Sequence, residues 1–261
     1  MNSITTEKLE VAYEQKQVVY DLDMQIPQGS ITAIIGPNGC GKSTVLKAVG
    51  RILKPIGGRV YLSGEDIRSM TTKEVARKMS ILPQSPQAPE GLTVEELVAY
   101  GRFPHLPGFG KLTANDKEII QWALEVTKLE EYVTTAVDNL SGGQKQRVWI
   151  AMALAQQTDL ILLDEPTTYL DMAYQLEVLE LLYRLNREQK CTIIMVLHDL
   201  NLAARFADYM IAIRAGRIIC HGKPEEVMVP EVLKETFHIN AEIVREPRTG
   251  RLTCTTYDLI K

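Results

Sequence analysis

The chain places its apolar residues in two rhythms, and the change of rhythm marks out its parts. Residues 4–13 and 18–26 read as short strands. In the second, Leu22, Met24 and Ile26 alternate with Asp21, Asp23 and Gln25, the period-two pattern of a strand with one wet face. Pro27-Gln28-Gly29 supplies a turn. Ser30 to Ile35 is a continuous, β-branched apolar run, as expected of a strand covered on both faces, and Ser43 to Arg51 then reads as a helix. After the Gly57-Gly58 turn come a strand at Arg59 to Leu62, a short helix opened by Thr71 with Glu74 three residues on, and a strand at Met79 to Leu82. From Ser85 to about Thr158 no strand pattern is convincing. Helix starts recur there instead, at Thr93 (with Glu96), Thr113 (with Asp116) and Ser141 (with Gln144). Strand runs return at Leu160 to Asp164 and Cys191 to Leu197, separated by a helix of Leu176, Leu179, Leu182 and Leu185. Tyr209 to Arg214 and Arg217 to Cys220 flank Ala215-Gly216 as a hairpin. The tail holds a short helix and a second hairpin around Arg248-Thr249-Gly250.

Doubly covered strands alternating with helices predict an α/β fold with a mostly parallel sheet, interrupted by an inserted helical lobe. At 261 residues the chain is long enough for one large domain, or one domain carrying such a lobe. A hydrophobic fraction of 45% and a charged fraction of 24% exclude a disordered chain. The formal net charge of -4 argues against a grip on nucleic-acid backbone, so no nucleic-acid partner is expected. Cys40, Cys191, Cys220 and Cys254 lie far apart with no C-x-x-C pair, so neither a zinc site nor a disulfide framework is indicated and a reducing cytoplasm fits best. The first residues lack the basic stretch and apolar core of a secretion leader. Apolar runs such as Val148 to Ala155 fall far short of the roughly 20 residues of a membrane span, so any membrane role must come through a partner.

Three segments carry candidate chemistry. Gly36-Pro37-Asn38-Gly39-Cys40-Gly41-Lys42-Ser43-Thr44 follows an apolar strand and opens a helix, the setting of a glycine-rich loop that cradles nucleotide phosphates. Its glycines would let backbone N–H groups turn toward phosphate oxygens, Lys42 would reach the outer phosphates and the Ser43 hydroxyl would ligate Mg²⁺. Asp164 and Glu165 end a second apolar strand. There Asp164 can hold Mg²⁺ through water, and an ionised Glu165 can orient or deprotonate an attacking water; without the glycine-rich loop, the pair would read first as a solvated acidic strand end. Leu140-Ser141-Gly142-Gly143-Gln144 also satisfies a capping box, so a plainly capped helix stays open as a reading. Two glycines nevertheless weaken a first turn unless something approaches its backbone closely.

The order of these segments resembles the ATP-binding cassette ATPases over essentially the whole chain. That resemblance implies a P-loop NTPase core at 1–84 and 159–261 with an N-terminal antiparallel β subdomain, and an inserted helical subdomain at 85–158. It implies ATP and Mg²⁺ as ligands, with Asn38, Gly39, Gly41, Lys42, Ser43 and Thr44 on the phosphates. It also implies a head-to-tail pair of identical subunits in which Ser141, Gly142, Gly143 and Gln144 contact the γ-phosphate held by the opposite copy. Tyr13 matches the aromatic that stacks on adenine, with Tyr20 the weaker alternative; Gln84 matches the glutamine that touches Mg²⁺ and water; Asp171 matches an aspartate at the dimer seam; His198 matches a histidine on the γ-phosphate. Where many relatives have Ser-Ala-Leu-Asp or Ser-Gly-Leu-Asp at the seam, this chain has Thr168-Tyr169-Leu170-Asp171. With Thr93 to His105 that departure resembles the importer branch serving ferric siderophores, haem or cobalamin, and implies a peripheral subunit on the cytoplasmic membrane face. Its partners would be permease subunits, touched through about Ser85 to Phe109, and indirectly a substrate-binding protein. A soluble, non-transport cassette ATPase is the alternative.

Overall fold

The computed structural model describes residues 2–107 and 110–260. They fall into two compact units, one built from the chain up to Ser69 together with everything from Leu185 onward, the other spanning Met70–Arg184.

In the first unit, Asn2–Tyr13 pairs antiparallel with Lys16–Pro27 on one side and Gly57–Leu62 on the other, and the short Glu65–Asp66 strand closes that sheet. Leu22, Met24 and Ile26 are buried while Asp21, Asp23 and Gln25 face solvent, so the alternation in the sequence is the alternation of the sheet's faces. A second sheet is built on Ile31–Ile35, which pairs in parallel with Thr192–Val196 and with Tyr209–Arg214; Arg217–Gly222 adds antiparallel outside the last of these. All five residues of Ile31–Ile35 and of Thr192–Val196 are buried, as their unbroken apolar runs require. The hairpin tip locks the two sheets together. Gly216 N–H donates to the Cys40 carbonyl at 2.8 Å and its carbonyl accepts from Tyr20 N–H at 3.0 Å. A Cβ at Gly216 would lie 2.0 Å from the Val18 carbonyl oxygen, so only glycine permits this approach.

The tail differs from expectation in its helices. Two short ones, Pro224–Val227 and Pro230–Phe237, each begin on a proline, where the sequence suggested one. A further helix, Leu200–Phe206, went unread because seven residues give too little periodicity, although Asp199 caps it by accepting from Leu202 N–H at 2.8 Å. The C-terminal hairpin, Ile239–Arg245 with Leu252–Leu259, is present as expected. It is tied down where the Asn201 side chain makes both backbone hydrogen bonds of Cys254, at 2.8 and 3.1 Å.

The second unit holds the parallel pair Met79–Leu82 and Leu160–Asp164, with helices Thr72–Lys78, Val94–Ala99, Ala114–Val126, Gly142–Ala155 and most of Met172–Gln189. The capping boxes read at Thr71, Thr93, Thr113 and Ser141 all form. A 3₁₀ turn at Tyr100–His105 follows the Val94–Ala99 helix and exposes Phe103 beside Tyr100; Phe109, at the end of the expected permease contact, lies outside the described residues.

One feature of this unit was invisible in sequence. Asp116 closes the Thr113 box and at the same time accepts from buried Arg102 at 2.8 Å, while Arg102 also donates to the Ala155 carbonyl at 2.7 Å and to Gln157 at 3.1 Å. Both partners are at most 7% exposed at the side chain. The Thr113 hydrogen bonds first, and the Arg102 guanidinium second, lower the Asp116 carboxyl to about 2. Removing one member of a buried pair strands the other, so Asp116→Asn should cost on the order of 3 kcal/mol in denaturant unfolding at neutral pH. Because the folded carboxyl titrates below its ordinary value, its stabilisation is complete above about 4 and fades as pH falls toward 2. The difference between wild type and variant should therefore shrink across that window, and a constant difference would show that the carboxylate charge is not what holds the helices.

Candidate functional site

The first unit carries a phosphate-type loop. It leaves the carboxyl end of Ile31–Ile35 and enters the helix Lys42–Val49, with Gly36, Gly39 and Gly41 at φ values of 151°, 74° and 107°. A Cβ at Gly36 would lie 2.1 Å from the Ile213 carbonyl oxygen, which fixes glycine there. Asn38 and Gly39 form the exposed rim, Ser43 is half-buried and Thr44 is buried. The Lys42 ammonium, buried with its residue, donates to the loop's own carbonyls, to Gly36 at 2.9 Å and Pro37 at 3.1 Å, so the charge sits inside the curl. The helix start has no side-chain cap and no acidic residue in its first turn, unlike the boxed helices of the second unit. An uncapped helix N-terminus with an ammonium beside it and backbone curled by glycines is a receptor for anionic oxygens.

Cys40 turns into the protein beneath this loop at 5% exposure, its sulfur against Gly36. Burial pushes its thiol up in spite of nearby Lys42, so it behaves as packing rather than as a nucleophile.

His198 belongs to the same unit and is exposed. Ile34 stands level with Val196, and Leu197 N–H donates to the Ile34 carbonyl at 3.2 Å, so the loop and His198 leave adjacent parallel strands at the same edge. Tyr13 ends its strand 45% exposed. Tyr20 is committed elsewhere: its hydroxyl donates to the Gln17 carbonyl at 2.8 Å, and its ring packs on Gly216 with Arg217 5.4 Å away.

The second unit repeats the edge geometry with different chemistry. Leu82 stands level with Leu163, so Gln84 and Glu165 emerge together, and the Gln84 amide nitrogen donates to Glu165 Oε2 at 2.5 Å. Thr168 Oγ1 donates to the same oxygen at 3.0 Å. Thr168, which sequence reading treated only as part of the seam, thus holds the carboxylate from the other side; its place three residues after Glu165 in a tight turn is the signal that could have found it. Glu165 is itself at φ 54°, a left-handed conformation that costs a non-glycine residue energy and aims its side chain away from the strand direction. Asp164 ends the strand buried at 3% exposure.

Farther along, Asp171 caps the Met172–Gln189 helix, its Oδ1 accepting from Ala173 and Tyr174 N–H at 3.0 and 3.1 Å. Tyr169 projects from the turn before it, 92% exposed at φ 65°. Ser141 and Gly142 are exposed at the start of their helix, where Ser141 Oγ accepts from Gln144 N–H at 3.3 Å and Gln144 returns its amide oxygen to Ser141 N–H at 2.9 Å.

Known proteins share the fold of this chain. The ABC transporter family profile matches residues 19–168. The chain is 59% identical to the iron(3+)-hydroxamate import ATP-binding protein FhuC of Bacillus subtilis, covering 100% of this chain and 97% of that one. It is 46% identical to the ferric enterobactin transport ATP-binding protein FepC of Escherichia coli, over 94% and 90% of the two chains. A metal-chelate type ABC transporter solved in an inward-facing conformation superposes with a TM-score of 0.83 at 28% identity, covering 97% of this chain and 96% of that one. The dimeric bacterial ABC transporter cassette MJ0796 gives 0.75 at 29% identity over 85% and 98%. These neighbours share the mixed α/β fold with an antiparallel β part and a helical part that the sequence suggested.

Lys42→Ala should weaken ATP binding about tenfold or more, a loss of at least about 1.4 kcal/mol. Calorimetric titration measures it, and an unchanged affinity would remove Lys42 from the phosphate site.

Proposed function

The chain belongs to the ABC transporter family, and from that premise we propose that it is the ATP-hydrolysing subunit of an importer that brings ferric siderophores through a separate membrane permease. The enzymatic part of this reading rests on the Glu165 carboxylate, oriented by Gln84 and Thr168 at the end of a strand that also carries Asp164. The cargo rests on relatives named for hydroxamate, enterobactin and petrobactin import, at 59%, 46% and 49% identity.

In this reading Lys42, the loop amides and the helix start bind the ATP phosphates, and Tyr13 stacks on the base. Glu165 accepts a proton from the attacking water or aligns it, and His198 contacts the terminal phosphate. The donors that suit magnesium are hard oxygens: the Ser43 hydroxyl, the Asp164 carboxylate, and the Gln84 amide oxygen, since its nitrogen is engaged by Glu165. The ion, when bound, neutralises charge building on the phosphate oxygens. Two copies close head to tail, Ser141, Gly142, Gly143 and Gln144 of one meeting nucleotide held by the other, with Asp171 at the seam. Their closing and reopening drives the permease, met through about Ser85 to Phe109. Among the described residues no helix is long and apolar enough to cross a membrane, which fits a subunit held at the cytoplasmic face by the permease, with a substrate-binding protein delivering cargo outside.

Glu165→Gln should leave ATP affinity intact, slow phosphate release by about 10² to 10⁴ as for a lost general base, and accumulate an ATP-dependent dimer on gel filtration. Near-normal turnover would assign the water to another group. For the cargo, cells lacking this gene should lose radioiron uptake from a ferric hydroxamate and regain it with the wild-type gene but not with the Glu165→Gln form. Undiminished uptake in the deleted cells would overturn the siderophore assignment.

A further inference from the structure

The two glycines that open the Gly142–Ala155 helix stand in different surroundings. A Cβ built at Gly142 would have no heavy atom within 4 Å, whereas one at Gly143 would lie 3.0 Å from Cδ1 and 3.2 Å from Cγ of Tyr174. Glycine weakens a helix start, so each position requires a reason. At Gly142 no contact within the chain supplies one, since the position faces open space. At Gly143 it is internal: the aromatic ring of Tyr174 rests on the bare Cα.

Tyr174 is held at its backbone as well as at its ring. Its backbone N–H donates to Asp171 Oδ1 at 3.1 Å, so the carboxylate that ends the seam loop also fixes the turn from which the ring projects. The Arg147 guanidinium lies 5.9 Å from the ring centre, and it donates to Glu177 at 2.8 Å, one turn beyond Tyr174 on the same helix. Arg147 is four residues along the Gly142–Ala155 helix from Gly143, so the two helices grip the ring between a missing side chain and a paired cation.

We propose that Tyr174 is a positioning residue for ATP hydrolysis, joining the Asp171 seam loop to the Ser141–Gln144 turn so that displacement of one moves the other. The proposal rests on the head-to-tail reading above and deepens it. The turn bears on nucleotide held by the opposite copy, so Tyr174 acts after nucleotide has bound, on the step that needs both copies.

The test compares wild type, Tyr174→Ala, Tyr174→Phe, Gly143→Ala and the Gly143→Ala/Tyr174→Ala double variant, recording hydrolysis against ATP concentration with magnesium and the ATP affinity of each isolated chain. Tyr174→Ala should lower kcat about tenfold to a hundredfold, the scale of a misplaced positioning group, and leave the isolated affinity at the wild-type value. Tyr174→Phe, which keeps the ring, should restore the wild-type rate. Gly143→Ala drives a methyl into that ring, so the double variant should be no slower than the slower single one. A wild-type kcat for Tyr174→Ala, or losses that simply multiply in the double variant, would overturn the proposal. If thermal melting shows Tyr174→Ala unfolded, Tyr174→Leu, which fills the space without a flat ring, carries the same expectation. Ser141→Arg, which blocks the turn itself, separates the two levels. Wild-type hydrolysis by that variant would fault the two-copy reading, whereas its loss beside a silent Tyr174→Ala would fault only the role given to Tyr174.

Discussion

Parallel pairing of apolar strands is the constraint on which the candidate residues depend. A parallel pair sends both chains off the same edge of the sheet, so whatever follows one strand is delivered next to whatever follows its neighbour. Ile34 level with Val196 sets the phosphate loop beside His198, and Leu82 level with Leu163 sets Gln84 against Glu165. The hydrogen bond between the last two spans 81 positions of sequence, yet its geometry is fixed by a register four residues long. Slipping either register by one residue would turn buried isoleucines and leucines to the opposite face and separate the pairs. The apolar strands are thus the means by which distant polar residues meet.

The same physics explains what could be read in advance. Local rules announce themselves: four capping boxes, the alternation of Leu22, Met24 and Ile26, and the glycine loop were all legible because each is decided within a few residues. Glu165 could be read as an acid at a strand end, but Gln84 could be singled out only through resemblance, since nothing local requires a glutamine two residues past a strand to find a carboxylate. The Arg102–Asp116 pair was hidden behind a correct local reading, because Asp116 satisfies Thr113 and Arg102 with different oxygens. Tyr174 went unremarked, and Thr168 was placed only in the seam, for a related reason: their contacts, with Gly143 and Glu165, follow from how turns fold back rather than from periodicity. Cys40 could be placed in the loop but not oriented, and burial makes it an inward filler.

Of the twelve non-glycine residues with left-handed φ among the described residues, two stand in the turn that follows Leu160–Asp164. Glu165 and Tyr169 both take left-handed φ without being glycine. Such residues persist only where the surroundings over-determine them. Around Glu165 that surrounding is visible: Thr168 N–H donates to its carbonyl at 3.2 Å and Thr168 Oγ1 to its carboxylate, closing a turn on both backbone and side chain. A carboxylate held this way keeps one orientation without the help of a bound ligand.

The helix starts show how capping and ligand binding coexist. Lys42–Val49 begins with no side chain on its first amides, so those groups are satisfied by an anion or by water. Gly142–Ala155 is boxed by Ser141 and Gln144, which taken alone would make it a structural element and nothing more. The two readings do not compete. A serine hydroxyl accepts through its lone pairs and donates through its proton; Ser141 Oγ is only an acceptor in the box, and at 3.3 Å a long one. Its own hydrogen stays available to an oxygen outside the protomer while the cap remains closed, and Gly142, with open space where a side chain would stand, lets that oxygen approach. The cap therefore sets the direction from which the hydroxyl can be approached, and a helix finished for stability still presents a hydroxyl donor to solvent at its start.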